Sequence, residues 1–402
     1  MRKSLVALSL FAGFLFGCGH AQSSVPRPLG MIQSSRKHAD FSPESAPKHY
    51  ILLYTFRGGA DGKDPKGGLI KDDAGNLYGT TFLGGRGTTC DGSPCGTLFK
   101  LDPSGHKTLL YAFDQANGSR PAARLMRDAS GDIYGTTVRG GTELDGAVFE
   151  LKPNGQEIVL RSFGEAHGEY PRDELIRDAS GNFYGTDSAG GTTGAGLVFM
   201  LDPTGNETVL HNFNGVDGAN PIGGLLRDAA GNLYGTTEGG GFAHNGVVFK
   251  IDSNGNETVL HRFNGIDGSG PRGGLVWDSA GNLYGQTFLG GAAGDGVVFK
   301  LDSSGNETVL HNFNVSEGGP KGDLVRTESG NLYGTTFRGG PANAGEVFKL
   351  DPAGNLTVLH AFNGSDGAKP NGNLLRDAAG NLYGVTTAGG SAGYGVVFEL
   401  TH

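Results

Sequence analysis

From Tyr50 onward, short stretches with apolar side chains on both faces alternate with turns rich in Gly, Asn and Asp, a pattern that predicts short β-strands. One stretch shows the plan: Gly224 to Asp228, Asn232 to Thr237, Val247 to Asp252 and Thr258 to Phe263. Val247, Phe249 and Ile251 alternate with Val248, and Leu233 with Tyr234, so each sheet needs cover on both faces. Asp228-Ala229-Ala230-Gly231 and Asp252-Ser253-Asn254-Gly255-Asn256 suit type I turns, with glycine taking the left-handed position. Each unit therefore holds two tight hairpins. Gly235, in mid-strand after the tyrosine, predicts close approach of an aromatic ring from the adjoining sheet.

The unit recurs seven times around Gly-Asn-Leu-Tyr-Gly-Thr-Thr or a near variant, with tyrosines at Tyr78, Tyr134, Tyr184, Tyr234, Tyr284, Tyr333 and Tyr383. Four strands in a period near 50 predict an all-β, seven-bladed β-propeller. The chain enters on a fourth-strand segment, Tyr50 to Phe56, and leaves on a third-strand segment, Val396 to Leu400. An N-terminal strand thus completes the last blade and closes the ring without a spare edge. The expected domains are a lipoprotein signal peptide (1–17), a flexible tether (18–48) and the propeller (49–402).

Through Gly-Asn-Leu-Tyr-Gly-Thr-Thr, Gly-Gly and Gly-Val-Val-Phe-Lys, residues 50–402 resemble the GloVer tandem-repeat family of exported bacterial proteins. The resemblance implies an exported repeat array and brings no settled activity. Kelch propellers have a similar period and a glycine doublet, but their repeated tryptophan is missing: Trp277 is the only one.

Arg2 and Lys3, the apolar run Ser4 to Phe16 and the small residues after it read as an export signal. Leu15-Phe16-Gly17-Cys18 resembles a lipobox, so lipidation at Cys18 is expected, with cleavage after Ala21 as the rival reading. Gly19, rather than aspartate, follows Cys18 and implies outer-membrane sorting; the alternative is a periplasmic or secreted soluble protein. Membrane contact is expected through that lipid only. A net charge of −9 without Lys/Arg runs argues against nucleic acid as a partner, and a monomer is expected. Cys90 and Cys95, the remaining cysteines, predict a small loop disulfide in an oxidising compartment. No cofactor and no metal site is expected.

Most repeated polar residues read as scaffold. His211, His261, His311 and His360 fall one per blade near the outer edge, too far apart to act together. Lys71, Arg127, Arg177, Arg227, Arg326 and Arg376 close the innermost strand and are each followed by Asp or Thr, which predicts ion pairs between neighbouring blades. No nucleophile elbow, His-Glu-x-x-His pair or phosphate loop occurs. Candidate ligand-binding residues lie instead in the loops where repeats differ, which propeller connectivity gathers on one face: Arg57, Arg120, Glu143, Asp145, His167, Tyr170, Asp187, Glu238, His244, Asp295, Arg338 and Tyr394. The leading reading is a non-catalytic envelope module that binds a glycan, peptide or protein through that face. The alternatives are a polysaccharide lyase or hydrolase, using Asp187 or Glu238 with His167 or His244, and a purely structural envelope protein.

Overall fold

A computed structural model describes residues 49–401, apart from 87, 88, 91, 92, 165 and 166. The export signal, Cys18 and the tether lie outside the described residues. Seven antiparallel sheets follow one another around a channel. In the fourth, Leu226–Arg227 is innermost and Leu233–Thr237, Val247–Ile251 and Glu257–Arg262 lie successively outward. The seventh takes its outer strand from the chain start: His49–Thr55 pairs with Val396–Thr401, Tyr50 opposite Leu400 and Thr55 opposite Val396. The ring is therefore a seven-bladed propeller closed by strands from both ends of the chain. Among the described residues no helix is long and apolar enough to cross a membrane.

Aromatic rings join the blades. Each outer strand is followed by a buried phenylalanine that packs against the third-strand phenylalanine of the next blade, edge-on in all but the tilted Phe163–Phe199 pair, as Phe213 does on Phe249 with centroids 5.1 Å apart. Phe56–Phe99 and Phe362–Phe398 repeat the contact at 5.3 and 5.2 Å on either side of the closing blade. Such pairs add to the stabilisation that burial alone supplies. Gly235 departs from expectation in one respect. A Cβ there would stand 2.6 Å from Phe249 Cζ and 3.0 Å from Leu225, both in its own blade, because Gly235 and Phe249 face each other across neighbouring strands. The ring that fills its space is a cross-strand neighbour, and the adjoining blade contacts that ring's other side.

Polar repeats complete the scaffold. Gly231 N–H donates to Asp228 O at 3.0 Å with φ +89°, and Asp228 Oδ1 accepts the Asn232 amide at 2.8 Å, fixing the inner hairpin. The innermost bases reach the preceding blade's aspartate: Lys71 to Asp377 at 2.9 Å, Arg177 to Asp128 at 3.4 Å and Arg227 to Asp178 at 3.9 Å. Trp277, the exception, packs edge-on against Tyr234. Cys90 and Cys95 are joined by a disulfide in the loop that lengthens the first repeat.

Candidate binding site at the channel mouth

A repeated backbone device builds the mouth. Ahead of each inner strand stands a proline (Pro65, Pro121, Pro171, Pro221, Pro271, Pro320 or Pro370), and each lies against a glycine in the loop between second and third strands of the preceding blade. A Cβ on Gly96 would meet Pro121 Cδ at 2.6 Å, and one on Gly395 would meet Pro65 Cδ at 2.8 Å. The residue before the proline sends its N–H to the same loop, as Tyr170 does to Asp145 O and Asn220 to Ala195 O, both at 2.8 Å. Asp64, Arg120, Tyr170, Asn220 and Lys369 adopt φ between 55° and 61° to do so. Left-handed backbone at non-glycine residues is costly and persists only where the surroundings hold it.

This clamp fixes the residue after each proline. Those residues are Lys66, Ala122, Arg172, Ile222, Arg272, Lys321 and Asn371, and all seven line one cavity of about 530 Å³. Arg124, Tyr170, Asp173, Ser188, Asn220, Glu238 and Asn373 complete its polar lining. Five bases therefore face two acids, in a chain whose net charge is −9.

Three of the bases are paired. Lys66 Nζ lies 3.1 Å from Asp64, Arg124 lies 3.6 Å from Glu174, and Arg272 holds Glu238 Oε1 through Nε at 2.7 Å and Nη2 at 2.6 Å. Arg172 and Lys321 form no ion pair among the described residues, and Arg172 Nε donates to Ser188 Oγ at 3.3 Å. Burial first, then Arg272 and Lys66, push Lys321 down to about 8. Burial, opposed by Glu238 and aided by Arg139, lowers Arg172. Cations that are crowded and partly desolvated in this way are candidate functional groups.

Deeper in the channel, Asp173 and Asp323 lean over the bare glycines of two intervening blades. A Cβ on Gly224 would lie 3.6 Å from Asp173 Oδ1, and one on Gly274 would lie 3.3 Å from Asp323 Oδ1. Surrounding protein, then the charges of Asp323 and Glu174, hold the Asp173 carboxyl well above the usual range. Asp323 is occupied, accepting from Gly274 N at 2.6 Å and Asn373 Nδ2 at 2.7 Å.

The loop residues singled out in the sequence disperse. Tyr170 and Glu238 line the cavity; Arg139 stacks over the Tyr170 ring at 4.1 Å. Asp145 pairs with Arg139 at 3.9 Å, and Asp295 with Arg338 at 2.6 Å. Glu143 and His167 border a separate groove, where His167 Nδ1 stands 3.4 Å from Glu207. Arg57 is exposed, its amide donating to Asp61; Arg120 N–H donates to Cys95 O. His244 is exposed, and Tyr394 packs its ring beside Gly58.

Asp187 is fully buried, and neither carboxylate oxygen has a hydrogen-bond partner among the described residues. It replaces the threonine that ends the second strand elsewhere, where for example Thr237 Oγ1 donates to Gly239 O at 2.8 Å. Burial, then Glu207, hold it well above the usual range, so the folded chain keeps a proton there that the unfolded chain releases near pH 4. This group therefore erodes stability as pH rises from about 4 through its folded pKa. Asp187→Thr is expected to stabilise the propeller by about 1–3 kcal/mol at pH 8 and by less near pH 3.5, where the protonation contribution is gone, as urea unfolding at the two pH values would show.

The outer-edge histidines each face the next turn's carboxylate: His211 to Asp217 and His261 to Asp267, both at 3.3 Å. His211, Asp217 and Glu257 bring potential metal-ligand atoms within 4.8 Å of one another, the one such group among the described residues. Burial depresses His211 and, with Asp217, raises Glu257 to about 7, while Glu307 reaches about 7 beside Asp267 one blade on. The trio belongs to a repeated interblade contact.

The fold and its mouth define a seven-bladed propeller with a polar, cation-lined channel. The chain matches the Gloeobacter/Verrucomicrobia repeat over residues 34–228, 154–321 and 274–402, and it belongs to that family. No curated protein matches it. Among solved structures, the extracellular domain of a one-component system from Bacteroides thetaiotaomicron is 11% identical with a TM-score of 0.56, covering 87% of this chain and 39% of that one. A gluconolactonase from Xanthomonas campestris is 15% identical with a TM-score of 0.46, covering 82% of this chain and 100% of that one. At 11% identity the first of these shares the fold alone.

Proposed function

We propose that the protein is an exported, non-catalytic binding module that captures an anionic ligand at the mouth of its channel. The observation that carries this reading is the convergence of all seven post-proline side chains, four of them basic, on one cavity in an acidic chain. Concave sites with a few fixed polar groups are where proteins commonly place small ligands. The basic, apolar and small-residue run at the start supports delivery to the envelope on a Cys18 lipid, and a Cys18→Ser form is expected to leave the membrane fraction.

Lys321 gives the test. The lysine is charged below about 8 and neutral above it, so affinity for an anion should be full at pH 7 and fall roughly tenfold by pH 9.5. Calorimetry of residues 49–402 with polyglutamate and polygalacturonate, against neutral dextran, measures this. Failure of both polyanions to bind, or equal affinity at the two pH values, contradicts the reading.

Asp173 favours a second reading, a hydrolase or lyase of acidic polysaccharide. A carboxyl held protonated beside another carboxyl suits a general acid. Slow polygalacturonate cleavage that disappears in Asp173→Asn would establish catalysis over capture.

A further inference from the structure

We infer that the anion is the carboxylate of an acidic sugar, so that the site takes a short oligomer of uronic acids. This rests on the anion-binding reading above and adds the ligand's chemistry to it.

Rings accompany the bases. Phe82, Phe288 and Phe337 occupy one repeat position, directly after the second-strand threonine, where other blades carry Val138, Ser188, Glu238 and Thr387. Lys66 Nζ stands 3.4 Å from the Phe82 centroid, the Arg272 guanidinium 4.2 Å from Phe288, and Lys321 Nζ 4.7 Å from Phe337. All three rings are half-buried. The rings are not themselves part of the cavity lining; each stacks against its cation, and because the same repeat position reaches the cavity as Ser188 and Glu238, a ligand engaging these cations has an apolar ring beside each one. Uronic acids match that demand, since each unit carries one carboxylate and an apolar C–H face. A phosphate has charge without such a face, and an acidic peptide carries its carboxylates on flexible stems.

Two further features agree. Asn220 and Asn371 line the cavity and make no side-chain hydrogen bond among the described residues, so their amides are available to both donor and acceptor sides of a hydroxyl. Glu238 already shows how Arg272 receives a carboxylate, with Nε and Nη2 both converging on Oε1. It acts as an internal occupant that a ligand carboxylate displaces. The bases sit on blades 1, 3, 5 and 6 around the mouth, a spacing that suits several carboxylates along a chain better than one compact anion.

The experiment compares trigalacturonate with galactotriose, triglutamate and inorganic phosphate on residues 49–402 by calorimetry. Trigalacturonate is expected to bind at least tenfold tighter than triglutamate, with galactotriose and phosphate weaker still. Glu238→Gln, which removes the competing carboxylate, is expected to tighten trigalacturonate about threefold or more. Phe288→Leu and Phe337→Leu, which keep apolar bulk and lose the ring, are expected to weaken trigalacturonate about tenfold and leave triglutamate unchanged; thermal melts confirm that both variants fold. If triglutamate or phosphate binds as tightly as trigalacturonate and the leucine variants change nothing, the sugar assignment is overturned while anion capture stands. If none of the three anions binds, both fall together.

Discussion

A chain shortened to begin at residue 57 is expected to lose the cooperative fold. The missing strand, His49–Thr55, is the outer strand of the seventh blade, and its removal leaves Val396–Thr401 as an open, apolar edge. Such an edge is a template for aggregation. Phe56 also goes; it is fully buried and packs on Phe99 of the first blade. Tyr50 stacks on His360 with centroids 4.1 Å apart, lies 5.9 Å from Phe398, and donates its hydroxyl to Asp366 O. Losing the buried Phe56 ring costs about 3–5 kcal/mol and the half-buried Tyr50 ring adds to it, against a total stability of roughly 5–15 kcal/mol for a folded domain. Size-exclusion chromatography and thermal melting should show aggregate without a sharp transition. A monomeric truncated chain melting within a few degrees of the intact one would mean that the ring does not depend on its closing strand.

The second large effect is on binding. Arg172→Gln with Lys321→Gln is expected to weaken polycarboxylate binding at pH 7 by at least a hundredfold, since a hydrogen bond to a charged group contributes about 1.5–3 kcal/mol and two are removed. The same double variant should be at least as stable as the parent. Neither base has an ion-pair partner among the described residues, and Lys321 sits against the like charges of Arg272 and Lys66. A lysine whose folded pKa is depressed costs stability at every pH where the unfolded chain would protonate it, fully so below about 8. Lower affinity together with equal or higher melting temperature marks residues kept for function rather than folding. Lower affinity with a large drop in melting temperature would assign them to the scaffold.

The propeller was legible because its signals are local and repeated. Alternation on both faces, Asp-x-x-Gly turns and the complementary chain ends each follow from strand and turn chemistry within a few residues. Gly235 in mid-strand signals that a ring intrudes, and the ring belongs to the same blade and not to the adjoining one. Mid-strand glycine reports that space is taken; it carries no information on which strand takes it. The candidate site was legible only in part. Of the loop residues that the repeat pattern singles out, Tyr170 and Glu238 lie at the cavity. The other loop candidates pair with each other or lie elsewhere, as Asp295 and Arg338 do. Loop variability alone does not say which side chains converge.

The signal that marks the cavity was present in another column. After each proline the repeats carry Lys66, Ala122, Arg172, Ile222, Arg272, Lys321 and Asn371, a position as variable as any loop, in the stretch that leads from the proline into the inner strand. Its meaning depends on the proline–glycine clamp between blades and on the channel geometry, both products of tertiary packing. Asp187 teaches the converse lesson. A lone aspartate in a threonine column looks like chemistry, and its burial seals it from any ligand.

The most direct test of the account is the titration of Lys321 itself, followed by NMR of ¹³C-methylated lysines and assigned with Lys321→Arg, with and without trigalacturonate. In the free protein Lys321 is expected to titrate near 8, and its pKa to rise when the saccharide is bound. A Lys321 that titrates like the exposed lysines, or that is unmoved while the saccharide binds, would contradict it.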